Sequence, residues 1–462
     1  MAEPVVPAKA WRTLAITSLV VFMVTLETTI IALALPEIRE AFPDTDDATL
    51  SWIITAYNIG VASFLLLSGW WADKAGRKKV FLIGLFLFAV GSGFAGLAPS
   101  ARLLILARVV QSVGGAIQYP AGLALLLPAF PPERRQSAIG IWGAMGALAA
   151  AVGPSLGSIL VEAFGWRSIF TINVPVALLA LVLGRVWLDE SYGEVAGDKV
   201  DKVSVPLASL GIGAIILGIV QGGTWGALSL IPIAIGGALL TGFVVRSRRH
   251  EAPLFDLGLF SLRSFTVSSV GTVAFSLAFF SWLVTMPTFI QDVWGWSVLR
   301  TGFAIAPGPM VAMVVSPLFG RLADRKGIAL PVIIGALAGA SGLLLQVSLL
   351  GIEPAYVKSV LLPGLLIGVA AGASFSMLVA AAMRDVPAAQ FGMAGAGRST
   401  IFQLSVAVGV AMGFVLTADS GSNSEALSGI RTLFIVGAIL YFIQFLVFAF
   451  AFPRHGPETV SA

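Results

Sequence analysis

Cysteine is absent from this 462-residue chain, and histidine occurs only twice, as His250 and His455. The absence of cysteine excludes disulfides, thiolate metal sites and cysteine nucleophiles. Both histidines lie in charged, polar stretches, and they do not form a pair with metal-ligand spacing, so we interpret them as solvated residues. The sequence therefore predicts no metal centre and requires no cofactor.

Charge is also scarce: 11% of the residues are charged, 57% are hydrophobic, and the mean hydropathy is +0.94. Soluble proteins carry about 25% charged residues, so this chain cannot cover a surface that faces water. The basic residues are scattered in short loops, which excludes a nucleic-acid-binding patch. We therefore predict an all-α integral membrane protein whose main partner is the lipid bilayer.

Apolar stretches of about 20 residues, the length that crosses a bilayer, recur between charged loops. We place fourteen of them, at 13–36, 50–72, 79–98, 102–129, 137–161, 168–188, 204–222, 227–245, 265–291, 298–320, 328–349, 358–382, 389–416 and 431–453. The first contains the apolar stretch from Leu14 to Leu35, longer than the core of a signal peptide, and is predicted to be an uncleaved span. The seventh and eighth are separated only by Gly222 to Gly226.

The loop charges support this count. If the N-terminus is cytoplasmic, twenty Lys and Arg residues fall on the cytoplasmic side, six on the outer side and two inside spans. Basic residues are enriched in cytoplasmic loops, and the loss of one central span would mix the two sides. We therefore predict a multi-pass protein of the plasma (inner) membrane with both termini in the cytoplasm.

A short motif occurs twice. The loop after the second span is GWWADKAGRKK, from Gly69 to Lys79, and the loop after the tenth is GRLADRKG, from Gly320 to Gly327. Without the seventh and eighth spans the chain becomes two sets of six, as in many secondary transporters. We predict an N-terminal six-helix bundle at 1–190, a linker with two inserted transmembrane helices at 191–260, and a C-terminal six-helix bundle at 261–462. The polar linker itself runs from Asp189 to Lys202.

Four further stretches carry a family resemblance: LETTIIALALPEI at 26–38, ARVVQSVGGAIQYPAG at 107–122, GALAAAVGPSLGS at 146–158 and WRSIFTINVPV at 166–176. With the loop motif, they resemble the major facilitator superfamily, specifically its fourteen-span drug:proton antiporter branch. Two residues depart from its pattern: Glu27 stands where the branch usually has aspartate, and Ser112 where the family usually has glycine. The resemblance implies the major facilitator fold and proton-coupled export of a lipophilic or cationic small molecule by alternating access.

The resemblance also implies residue roles. Asp73 and Arg77, with Gly69 and Gly76, would form a conformational latch that favours the outward-open state. Asp324 and Arg325 would form a weaker counterpart in the second half. The antiporter motif of the fifth span, a gate against leak, would comprise Gly146, Gly153, Pro154 and Gly157.

Only three ionisable residues lie deep in the predicted spans: Glu27, Arg108 and Arg398. A charge at the bilayer centre costs about 3 kcal/mol on insertion scales, so their presence indicates function. We hypothesise that Glu27, the only deep carboxylate, carries protons. Alternatively it is a permanently paired structural ion or binds a cationic substrate directly. At 1.5 Å per residue, Glu27 and Arg108 lie roughly 15 and 10 Å from the outer surface, but Arg398 is an equally possible partner.

Polar and aromatic residues within the spans are candidates for a substrate cavity. They are Trp52, Tyr57, Asn58, Gln111, Gln118, Tyr119, Gln291, Gln403 and Gln444. Such a cavity suits a bulky amphipathic or cationic molecule, although many of these residues also suit helix–helix hydrogen bonds.

An exporter or flippase of an endogenous lipid or a secreted metabolite would use the same fold and proton site. An enzyme is not expected, because no catalytic constellation lies at membrane depth, and the loops are too short for a receptor's output domain. The expected partners are protons and a small lipophilic substrate; an accessory subunit is left open.

Overall fold

A computed structural model describes residues 6–193, 201, 203–250, 253–417 and 422–453. The regular elements in these ranges are all helices, as predicted for an all-α protein. Part of the predicted linker, 194–200 and 202, lies outside the described residues, as does His455. The described part of the linker is Asp189 to Gly193, which follows the seventh helix, and Asp201.

The helices of the first half of the chain range from single turns of four residues to a helix of 34 residues, about 50 Å long. They are α1 (Ala8–Ala41), α2 (Asp47–Ala75), α3 (Arg77–Gly96), α4 (Ala101–Ala129), α5 (Arg135–Phe164), α6 (Ser168–Thr171), α7 (Asn173–Trp187), α8 (Ser204–Val220), α9 (Gly222–Trp225) and α10 (Leu230–Ser247). The short α6 and α7 follow one another directly and form a single span.

The second half repeats this pattern of long helices. They are α11 (Arg263–Asp292), α12 (Val298–Ile305), α13 (Pro307–Lys326), α14 (Ala329–Leu349), α15 (Leu362–Met383), α16 (Phe391–Thr417) and α17 (Asn423–Leu446). Pro307 begins α13 at the first helical position, where proline is tolerated because its missing N–H would have no partner. The predicted span at 298–320 is therefore two helices in series.

Twelve helical segments of the described chain are long and apolar enough to cross a membrane. The predicted fourteen also include α8 and α16, which are not among these twelve. Helix α8 has 17 residues, so at 1.5 Å per residue it reaches about 25 Å, just short of a hydrocarbon core of about 30 Å. An integral membrane protein is thus confirmed, and the count of fourteen stays a prediction.

The loop side chains explain where several helices begin. Asp46, in the acidic loop, accepts a hydrogen bond of 2.6 Å from the Thr49 N–H and caps α2. Ser100 and Ser422 cap α4 and α17 in the same way. A polar side chain at this position satisfies one of the unpaired N–H groups of the first turn, so a short polar loop can begin a long apolar helix sharply.

The chain forms two compact units that interleave along the sequence. Unit 1 comprises Met1–Pro132, Val152–Gly258 and Val386–Thr400, and unit 2 comprises Glu133–Ala151, Leu259–Asp385 and Ile401–Ala462. Unit 1 thus contains the inserted helices and the start of α16, and unit 2 contains the start of α5. The three-part division at 190 and 260 stays a prediction.

The central helices of the two units are α4 and α15. In each of them 78% of the most apolar 18-residue stretch is buried inside the protein, more than in any other candidate span of the described chain. They are the fourth spans of the two predicted six-helix sets. Equal burial at equivalent places supports the internal repeat inferred from the loop motifs.

The inserted helices α8 and α10 form a tight hairpin in unit 1. A Cβ on Gly236 would lie 2.6 Å from the Gly211 carbonyl oxygen, so only glycine permits this backbone approach. At one end of the hairpin, the buried Asp201 carboxylate accepts hydrogen bonds of 2.6 Å from both the Arg246 Nε and the Ser204 hydroxyl. The hydrogen bond from Arg246 holds the pKa of Asp201 well below its usual range.

Replacing Asp201 with asparagine should loosen this hairpin. A lowered pKa means that the carboxylate stabilises the fold above the ordinary Asp pKa and stops doing so only under acid. Because Arg246 is 39% exposed, the expected loss at pH 7 is about 1 kcal/mol. Thermal unfolding in detergent should give D201N a lower melting temperature than the native protein. The difference in melting temperature should be constant from roughly pH 5 to 8 and become smaller below roughly pH 4. An equal difference at every pH would contradict this account, and D44N in an exposed loop is the control.

Candidate transport site

Glu27 lies in the middle of α1 with no solvent exposure. One of its carboxylate oxygens accepts a hydrogen bond from the Arg108 guanidinium of α4, and the other from the Asn173 side-chain amide at the start of α7. Three helices of unit 1 therefore meet at a single carboxylate. Of the two arginines considered from the sequence, the structure places Arg108 against Glu27 in an ion pair.

Arg108, itself only 1% exposed, has further partners. Its Nε donates to the Ile53 carbonyl oxygen at 3.0 Å, and a terminal nitrogen donates to the Gln111 side-chain oxygen at 2.6 Å. The guanidinium lies over the Tyr57 ring, 4.2 Å from its centroid. The Gln111 amide in turn donates to the Ser92 hydroxyl at 2.8 Å. The ion pair is thus embedded in a continuous buried polar network.

Arg398, the other arginine predicted at membrane depth, lies on α16. It is 9% exposed, and its charge acts on the phenol of Tyr119. The Tyr119 hydroxyl is 3.1 Å from the Thr25 hydroxyl, two residues before Glu27 in the chain. The structure therefore pairs Arg108 with the Glu27 carboxylate and relates Arg398 to Tyr119, which contacts α1 at Thr25.

The predicted latch residues Asp73 and Arg77 form a buried cluster within unit 1. Asp73 accepts hydrogen bonds from the Arg77 Nε at 2.9 Å and from the Gly392 and Met393 N–H groups at 3.2 and 2.8 Å. Arg77 also donates to the Ala388 carbonyl oxygen at 2.7 Å. The carboxylate thus caps the first turn of α16, where a negative charge is favourable.

The second copy of the motif has an equivalent contact in unit 2. Asp324, at the end of α13, accepts hydrogen bonds from the N–H and the hydroxyl of Ser137 at the start of α5. Arg325 is exposed, so the partner of Asp324 is Ser137 rather than the neighbouring arginine. Each motif carboxylate therefore holds the first turn of the fifth span of one six-helix set: Asp73 holds α16, and Asp324 holds α5.

Glycines set close helix contacts at both predicted motifs. A Cβ on Gly69 would lie 2.4 Å from the Gly392 carbonyl oxygen, so α2 and α16 touch along their backbones. A Cβ on Gly153 would lie 2.2 Å from the hydroxyl of Thr29, two residues after Glu27 in α1. Gly146, Pro154 and Gly157 lie on the same helix α5, which continues unbroken through them.

The predicted cavity residues fall into distinct environments. Tyr57, Gln111 and Gln118 are buried, Asn58 is exposed, and Trp52, Tyr119, Gln291 and Gln403 are half-buried. Gln444 is buried and donates to the Ser374 hydroxyl at 3.0 Å, which is a packing contact between α17 and α15. Among the described residues, neither polar atom of Gln118 has a hydrogen-bond partner, and the same holds for the Tyr57 hydroxyl.

The sequence did not single out three members of the Glu27 network: Asn173, Ser92 and the Ile53 carbonyl. Asn173 had a signal, because it is an amide within the apolar WRSIFTINVPV stretch, and a lone polar side chain in a membrane helix needs a partner. Ser92 had little signal, since serine is common in small-residue helix packing. The Ile53 carbonyl had none, because backbone groups are the same at every position.

The chain matches a known protein family. The model of the Major Facilitator Superfamily matches residues 17–410. Multidrug resistance protein Stp of Mycobacterium tuberculosis is 34% identical over 412 residues, covering 87% of this chain and 74% of Stp. The tetracenomycin C resistance and export protein of Streptomyces glaucescens is 32% identical over 338 residues, covering 72% of this chain and 63% of that protein.

A solved structure supports the fold independently. The human organic anion transporter MFSD10 matches with a TM-score of 0.70 at 16% identity, covering 96% of this chain and 100% of that one. At this identity the likeness concerns the fold alone. Taken with the family match over most of the sequence, it shows that the chain belongs to the Major Facilitator Superfamily of membrane transporters.

Proposed function

We propose that this protein is a secondary active transporter that exports a lipophilic or cationic small molecule in exchange for protons. The observation that carries the proposal is the fully buried Glu27 carboxylate, paired with Arg108. Charges at membrane depth are costly and are kept chiefly where they move ions or substrates. The likeness to multidrug resistance protein Stp supports a drug-like substrate.

The network around Arg108 suits a carboxylate that gains and loses a proton. When Glu27 is protonated, its attraction for Arg108 falls, but the guanidinium keeps the Ile53 carbonyl, the Gln111 oxygen and the Tyr57 ring. Arg108 is therefore not left as a bare buried cation, which would cost about 3–5 kcal/mol. In the proposed cycle Glu27 is protonated from outside and releases the proton to the cytoplasm, while the substrate moves outward.

The other motif residues are proposed to control which side is open. Asp73 and Arg77 stabilise the outward-open state by holding the first turn of α16, and Asp324 acts in the same way on α5. Gly153, which contacts α1 at Thr29, two residues from Glu27, links the antiporter motif to the protonation site. Arg398 is proposed as a switch that senses the position of α1 through Tyr119.

The proposed location is the plasma membrane, with both termini in the cytoplasm. The distribution of basic residues between alternate loops supports this orientation. The ends of α2 and α13 that carry the motif carboxylates would then face the cytoplasm.

A second candidate is export of an endogenous lipid or a secreted metabolite. The likeness to a protein named for resistance to and export of tetracenomycin C favours this alternative. The same protonation site would serve it, and only the cargo would differ.

Proteoliposomes with an acidic lumen test the proposal and separate the two cargoes. Proton efflux should drive accumulation of a fluorescent lipophilic cation inside, and dissipating the gradient should stop it. Movement of a fluorescent phospholipid between leaflets, independent of the gradient and without cation accumulation, would favour a flippase instead.

A further inference from the structure

We infer that the segment Asp189–Gly193, which follows α7, is a strap that holds the latch closed, with Glu190 and Gly193 as positioning residues. This inference rests on the latch role proposed for Asp73 and Arg77. The strap is the first part of the linker towards the inserted helices. It contacts the end of α2, the start of α3 and the turn before α16.

The first contact is at the start of α3, which lacks a cap of its own. The position before the helix is Gly76, which has no side chain to accept a hydrogen bond. The Glu190 carboxylate takes this role from more than a hundred residues away: its two oxygens accept from the Lys78 and Lys79 N–H groups at 2.9 and 3.1 Å. A carboxylate at this place is favoured by hydrogen bonding and by the helix dipole.

The strap also explains why position 76 is glycine. The backbone φ of Gly76 is +105°, a conformation that residues with a side chain rarely adopt. A Cβ there would lie 2.7 Å from the carboxyl carbon of Glu190. The glycine of the latch motif is therefore required both by the turn and by the docked glutamate.

Backbone hydrogen bonds fix the strap to the two latch residues themselves. The Arg77 N–H donates to the Ser191 carbonyl oxygen at 2.9 Å, and the Gly193 N–H donates to the Asp73 carbonyl oxygen at 2.8 Å. Two bonds of opposite direction to residues four apart hold the strap across the loop between α2 and α3. Movement of the strap would therefore be transmitted to both latch side chains.

Gly193 brings the strap against the turn before α16, which is also in contact with the latch residues. A Cβ at this position would lie 2.2 Å from the Ala389 carbonyl oxygen and 2.5 Å from the Asp73 Cβ. Ala389 belongs to the turn that precedes α16 and that also accepts a hydrogen bond from Arg77. The strap thus closes over the junction of α2 and α16, and any side chain at 193 would force them apart.

Hydrogen–deuterium exchange of the full-length protein in detergent tests this inference directly. The reporter is the peptide containing Gly392 and Met393, whose N–H groups bond to Asp73. In E190Q one carboxylate oxygen becomes an NH2 donor that faces another donor, so exchange should accelerate roughly tenfold. G193A should accelerate it at least as much.

Matched controls are E162Q, an exposed glutamate of α5, and G223A, where an added Cβ meets nothing within 4 Å. Unchanged exchange in both E190Q and G193A would overturn the strap. Because no substrate or gradient is present, this result is independent of transport. If E190Q accelerates exchange while the native protein fails to couple protons, the strap stands and the proposed function falls.

Discussion

Replacing Glu27 with glutamine is expected to abolish accumulation of substrate driven by a pH gradient. The amide has nearly the same shape but cannot carry a proton between the two sides. Substrate-for-substrate counterflow, which needs no net proton movement, should persist. Both rates are measured in the same proteoliposomes with a fluorescent lipophilic cation, so a coupling defect is separated from a general loss of transport.

The alternatives for Glu27 give different results in this assay. If Glu27 binds the cation directly, E27Q should lose counterflow of the cation but keep that of a neutral lipophile. If it is a structural ion, E27Q should destabilise the fold by up to about 3–5 kcal/mol, because the neutral contacts of Arg108 replace only part of the counter-charge that it loses. The double variant E27Q/R108Q should then regain much of that stability, and E162Q serves as the matched surface control.

Asp73→Asn is expected to open the latch. The asparagine side chain keeps one oxygen, but its NH2 group faces the N–H groups of Gly392 and Met393 and the Arg77 guanidinium, all of which are donors. Loss of one partner from a buried ion pair costs about 3–5 kcal/mol. We therefore expect net transport to fall at least tenfold, since 1.4 kcal/mol already corresponds to a factor of ten.

The absence of cysteine allows this opening to be measured directly. A cysteine at Gly395, where an added Cβ makes ordinary contacts with Leu123 and Pro120, should be protected from a water-soluble maleimide in the native background. In the D73N background its labelling should be at least tenfold faster. Equal labelling in both backgrounds would show that Asp73 does not hold α16, and D44N is the control for removal of an exposed carboxylate.

The membrane class could be predicted from the sequence because apolar length and lack of charge are properties of single segments. The helix ends could not. Helix α1 extends from Ala8 to Ala41, beyond the predicted 13–36, because Lys9, Arg12 and Arg39 continue the helix outside the apolar stretch. Hydropathy detects the part of a helix in lipid, whereas backbone hydrogen bonding continues into water.

The site was predictable only where charge made residues rare. Glu27 and Arg108 stood out because ionisable groups are costly in lipid, and depth along the helices made their contact plausible. Asn173 required knowledge of which face of α7 meets α1. The contact of Glu190 with the start of α3 could not be predicted from sequence spacing, because it depends on how the chain returns after α7.

The most direct test of proton-coupled export measures protons instead of substrate. Proteoliposomes that contain a pH-sensitive dye are prepared with equal pH on both sides, and a lipophilic cation is added outside. Antiport predicts that substrate entry expels protons, so the lumen should become alkaline, and E27Q should abolish the change. Acidification of the lumen would show symport, and substrate entry without a pH change would show that transport is not coupled to protons.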